Sequence, residues 1–96
     1  MNLEEFLKSA ASDDEPPAKL STPLLALWHA EKGDWLKAHN IAQEIHTRAG
    51  SWIHANLHRE EGDNWNARYW YEQAGRPESE KSIADERHEI IASLLK

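Results

Sequence analysis

The chain contains an internal repeat. Setting residues 24–45 against residues 53–74 pairs Ala26 with Ala55, His29 with His58, Glu31 with Glu60, Gly33 with Gly62, Asp34 with Asp63 and Ala38 with Ala67, six identities at a constant offset of 29. A repeat this short marks a supersecondary unit that needs a neighbour to cover its apolar face. The identities fall where a helical hairpin requires them. A small residue inside each helix allows close approach, the glycine leaves the first helix in a left-handed conformation, and the aspartate caps the second.

Punctuation around the repeat sets the other boundaries. Thr22 suits an N-cap and Pro23 the first helical position, where a missing N–H costs nothing. Leu24, Leu25, Leu27 and Trp28 follow up to Gly33, and Trp35, Ala38, Ile41, Ala42 and Ile45 share a face of the next helix. Gly50-Ser51 reads as the close of that helix and the opening of a third, and Gly75-Arg76-Pro77 stops the fourth. Leu3, Phe6, Leu7 and Ala10 are spaced as a short amphipathic helix, and Ile83, Ile90, Ile91, Leu94 and Leu95 form the apolar stripe of a last one. The expected fold is all-α: an N-terminal helical arm (1–11), an acidic, proline-bearing linker (12–20), and a single domain (21–96) of two αα-hairpins and a C-terminal capping helix. That last helix also suits packing on a second copy in a homodimer.

The strings Gly33-Asp34-Trp35-Leu36-Lys37-Ala38 and Gly62-Asp63-Asn64-Trp65-Asn66-Ala67 resemble the inter-helix turn of tetratricopeptide (TPR) repeats. In that register Ala26, Ala55, Ala38 and Ala67 take the small-residue positions. The likeness covers residues 22–77 and departs in two ways. The period is shorter than the usual one of about 34, and His29 and His58 stand where an aromatic is expected. Residues 52–59, 69–71 and 74–77 also resemble small bacterial proteins of unknown function, which implies no mechanism. The TPR-like resemblance implies protein or peptide binding in a groove lined by the first helices, with Leu27, Trp52, Asn56 and Arg59 facing it and Arg68 nearby.

Composition bounds the remaining classes. There is no cysteine, so disulfides, thiolate metal sites and a cysteine nucleophile are excluded. The net charge of −6 is concentrated at the ends, while residues 16–77 balance seven acids with seven Lys/Arg. Nucleic acid, which needs a concentrated positive field, is not an expected partner. No apolar run approaches a membrane span, and the first residues are acidic where a secretory signal is basic, so a cytoplasmic protein is expected. Five tryptophans supply much of the apolar surface a chain of 96 residues needs. Trp28, Trp35, Trp65 and Trp70 are assigned to the core, and Trp52 stands between core and surface.

Candidate chemistry is sparse. His54 and His58 lie one helical turn apart, a spacing competent for a divalent metal, with His29 as the repeat counterpart of His58. The glutamate that serves zinc peptidases as base is missing after the first histidine, and no third ligand is identifiable in the sequence. The expectation is therefore that His29 and His58 replace core aromatics, with no cofactor. Glu31, Glu60 and Glu61 recur at helix ends, as solvated or ion-paired residues do. No phosphate loop or nucleophile elbow is present. The sequence reads as a non-catalytic protein- or peptide-binding module, not an enzyme. The alternatives are metal or small-molecule binding through the third-helix histidines, and a self-associating structural subunit.

Overall fold

Every helix of this chain begins at a side chain that accepts a hydrogen bond from its own first-turn amides. The caps are Asn2, Ser21, Asp34, Thr47, Asp63 and Ser82. In the computed structural model, which describes residues 1–96, they open α1 (Leu3–Ser12), α2 (Thr22–Glu31), α3 (Trp35–Ala42), α4 (Arg48–Glu60), α5 (Asn64–Ala74) and α6 (Ile83–Leu94), with no strand. No helix is long and apolar enough to cross a membrane.

The two hairpins are α2–α3 and α4–α5, the most closely packed helix pairs in the molecule. Their turns repeat bond for bond. Gly33 and Gly62 hold φ of +91° and +82°, and the Asp34 and Asp63 amides donate to the carbonyls of His29 and His58, each at 2.9 Å. Each aspartate then caps the next helix, accepting from Lys37 N at 3.1 Å and Asn66 N at 3.2 Å. The offset of 29 thus has a physical meaning: the same turn is built twice.

Two helix boundaries differ from the sequence reading. The cap of α2 is Ser21, whose Oγ accepts from Leu24 N, so Thr22 and Pro23 occupy the first two helical positions. Gly50 does not end a helix. The α3–α4 connection lies at 43–47, Thr47 caps α4 by accepting from Gly50 N at 3.1 Å, and Gly50 sits in the first turn. There Ile45 folds back so closely that a Cβ on Gly50 would clash with its carbonyl oxygen and its side chain. Close approach, not a left-handed turn, requires this glycine.

The arm belongs to the core. Phe6 is fully buried, Ala10 nearly so, and α1 packs on α2 and α6. Trp28 Nε1 donates to Ser9 Oγ at 3.1 Å, tying the two helices across the linker. At the other end, α6 does more than cover the second hairpin. It lies across the first helices of both, α2 and α4, with Ile90 and Ile91 fully buried and His88 within 3.3 Å of Glu31.

At the centre runs α4, whose residues Gly50 to His58 are buried without interruption. A helix enclosed on all sides is ordinarily apolar throughout, yet this stretch contains Ser51, His54, Asn56 and His58. Buried polar groups are costly unless paired, and no buried side-chain nitrogen or oxygen in the molecule lacks a partner. How these residues are satisfied defines the regions of chemical interest.

Candidate functional site

Three regions collect the polar and aromatic side chains. The first is where the sequence anticipates an open groove. Leu27 and Asn56 are buried, Trp52 nearly so, and α6 fills the space in front of them. The seat is polar. Glu86 of α6 has no exposed surface and accepts from Trp52 Nε1 at 3.0 Å, Asn56 Nδ2 at 2.9 Å, Arg59 Nη1 at 2.8 Å and Tyr71 Oη at 2.5 Å. Burial alone would raise the Glu86 carboxyl, but the bonds from Asn56, Tyr71, Arg59 and Trp52 outweigh it and hold the group below the usual carboxylate range. Burial, and then the same carboxylate, drive the Tyr71 hydroxyl far up. Beside it, Arg87 Nε donates to Asn56 Oδ1 at 2.8 Å and Nη2 to Glu60 at 2.7 Å. The Arg76 guanidinium covers the Trp52 ring at 3.5 Å from its centroid.

Trp52, Asn56 and Arg59, singled out as partner-facing, are therefore brought together, but around the chain's own sixth helix. Glu86, the residue that gathers them, escaped the sequence reading. Its signal was present: Glu86 and Arg87 lie between Ile83 and Ile90, on the apolar stripe of their helix, where a charge needs a buried partner.

The second region is the outer face of α5. Trp65, assigned to the core from sequence, is 75% exposed, and Tyr69 is exposed beside it. The reason lies in the repeat. Trp35, the first residue of α3, corresponds to Asn64, whereas Trp65 corresponds to Leu36, which is 65% exposed. One residue along a helix rotates a side chain by about 100°. Trp35 turns inward, donating its Nε1 to the Leu57 carbonyl at 2.8 Å, and Trp65 turns out. Trp65, Arg68, Tyr69 and Glu72 border a shallow cleft of about 220 Å³. Arg68 is well exposed and reaches Glu78 only at 3.8 Å.

The third region is a cluster of imidazoles between α3, α4 and α5. His54 and His58 project from α4 with ring centroids 4.9 Å apart, and the third ring is His39 of α3, its Nε2 2.9 Å from His54 Nε2. His29 is elsewhere, packed edge-on to Trp28. The sequence reading chose His29 because the repeat equates it with His58. But equivalent residues of successive hairpins are set apart by the width of a hairpin, whereas His39 comes from the helix that packs directly on α4. Trp35 stacks on His39 at 4.8 Å and Trp70 on His54 at 3.9 Å, walling the cluster on two sides. Burial, then His39 and His58 as neighbours, lower the His54 pKa to about 4. Burial and His58 lower that of His39 as well, against the pull of Glu61.

Comparison of the chain with protein-family models, curated proteins and solved structures finds no match.

Proposed function

We propose that this protein is a non-catalytic helical interaction module whose docking face is the outer side of α5, with a second copy of the chain as the occupant that face suits best. The observation that carries the reading is the exposure of Trp65, the large aromatic with least contact to its own fold. Tryptophan, tyrosine and arginine are the side chains that most often dominate binding surfaces. Here they form a single stripe, Trp65, Arg68, Tyr69 and Glu72, at the i, i+3, i+4, i+7 spacing of one helix face. The stripe is self-complementary. Two α5 helices packed antiparallel about a two-fold axis bring Arg68 of one copy near Glu72 of the other and bury both tryptophans, as an isologous interface requires. The groove along the first helices, filled by α6, is not part of the proposal.

Sedimentation equilibrium over a wide concentration range tests it. The wild type is expected to dimerise, Trp65→Ser to remain monomeric, Arg68→Glu to weaken the dimer, and Arg68→Glu combined with Glu72→Arg to restore it. A wild-type monomer at every concentration, or a dimer indifferent to Trp65→Ser, overturns the reading.

A further inference from the structure

Nothing in the docking reading uses the imidazole cluster, and its geometry exceeds what core packing asks of histidine. A histidine that merely replaces a core aromatic needs one partner for its polar nitrogen. Here one nitrogen from each of His39, His54 and His58 lies within 4.8 Å of those of the other two. His58 is oriented from behind: its Nδ1 stands 2.8 Å from Glu61 Oε1, which directs the other nitrogen, Nε2, away from the carboxylate. A carboxylate on the far nitrogen is the arrangement that fixes metal-binding histidines. His54 and His58 are fixed by the central helix and almost fully buried, and His39 is held by its stack on Trp35.

We propose that His39, His54 and His58 form a three-imidazole site for a borderline divalent transition-metal ion of the zinc type, with Glu61 as the positioning residue for His58. Neutral imidazole suits zinc, copper and nickel, while magnesium and calcium demand oxygen ligands. Three histidines with a fourth position left for water or another ligand is an established zinc arrangement. With Zn–N of about 2.0–2.1 Å, tetrahedral ligand nitrogens stand roughly 3.3 Å apart. The His39–His54 pair at 2.9 Å has to open by a few tenths of an ångström, and the His58 nitrogen, within 4.8 Å of both, has to take the same spacing. Of the three rings His39 has the most room to adjust within its stack, being only half-buried on an eight-residue helix. His54 also borders a cleft of about 470 Å³ between the α3–α4 connection and α5, which brings solvent to the edge of the cluster.

The Nε2-to-Nε2 contact carries its own signature. One ring must donate and the other accept, so without metal the two imidazoles are unlike tautomers, one with hydrogen on Nε2 and the other on Nδ1. Coordination through both Nε2 atoms requires hydrogen on Nδ1 in both. Metal binding therefore switches the tautomer of one ring.

The test uses the full chain freed of metal with a chelator and titrated with zinc by calorimetry and with cobalt(II) by visible absorption. One ion per chain is expected, with the cobalt spectrum of a four-coordinate site. His39→Phe, which keeps the stack on Trp35, and His54→Gln are each expected to abolish stoichiometric binding. Glu61→Gln is expected to weaken it about 10–100-fold, and His29→Gln to leave it unchanged. Should a ligand variant fail to fold, histidine nitrogen NMR of the wild type decides alone. Added zinc must convert His39 and His54 from unlike tautomers to two Nδ1–H rings. Absence of stoichiometric binding by the wild type, binding retained in both ligand variants, or histidine resonances indifferent to zinc overturns the proposal.

Discussion

Trp52 and Glu86, the one on α4 and the other on α6, are joined by an indole N–H donating at 3.0 Å to a carboxylate that has no exposed surface of its own. The bond is one of four that converge on the same carboxylate, and Arg59 supplies the compensating charge at 2.8 Å. Removing the acceptor strands four donors at once. Breaking a buried ion pair from one side costs about 3–5 kcal/mol, and Glu86→Ala is expected in that range by chemical denaturation. Glu86→Gln, which keeps the shape and part of the bonding, is expected to cost clearly less. Equal losses in the two variants would mean that volume, not charge, holds α6.

Gly50 offers a test of the α3–α4 connection. A methyl group there would collide with Ile45, whose carbonyl and side chain close over the first turn of α4. Overpacking of this kind costs typically about 1–3 kcal/mol, so Gly50→Ala should be destabilising despite the higher helix propensity of alanine. A neutral or stabilising outcome in thermal unfolding would show that the connection yields.

The duplicated turn predicts duplicated energetics. Asp34 and Asp63 cap α3 and α5 through nearly equal bonds, and loss of an aspartate cap to alanine costs about 0.5–2 kcal/mol. Asp34→Ala and Asp63→Ala should fall together in that window. Asp63→Ala should be the larger because Asp63 also holds Asn66 Nδ2 at 2.6 Å. Denaturation midpoints of the two single variants and the double variant check both the size and the additivity.

Stability should fall in acid in two steps. The first belongs to the imidazoles. His54, with folded pKa about 4 against 6.5 unfolded, and His39, also lowered, bind protons more readily in the unfolded chain. Stability is then fully present above about pH 6.5 and declines as pH falls towards 4. The groups facing these rings are each other, His58, and Glu61 acting on His39. The second step belongs to Glu86, whose lowered pKa loses its contribution below the usual carboxylate range. In urea unfolding from pH 8 to 3, His54→Gln should flatten the upper part of the profile and leave the lower part. An unchanged upper slope would remove His54 as its cause.

The sequence made the hairpins legible because their determinants are local. A glycine able to adopt positive φ, an aspartate three residues before the amide it caps, and an alanine one turn further on are all within reach of a short window. Residues whose environment is set by distant helices were harder to place. Grouping Trp65 with the other tryptophans places it inward, yet its phase relative to Ala67, Tyr71 and Ala74, the buried residues of α5, points outward. His39 was passed over because only the packing of α3 on α4 brings it to His54. The buried carboxylate of α6 was visible only as a charge on an apolar stripe, with nothing in the sequence to say which donors would meet it.

The manner in which α6 is seated has a consequence for how this chain tolerates change. Isoleucines such as Ile90 and Ile91 are held by shape alone, and a neighbouring register or another aliphatic side chain could satisfy much the same volume. Glu86 meets four donors fixed on two other helices, and shifting α6 by a single residue would withdraw it from all of them. The carboxylate therefore acts as an address rather than an adhesive: drift in the aliphatic residues leaves the helix where it is, while drift at this one position loses its place in the fold.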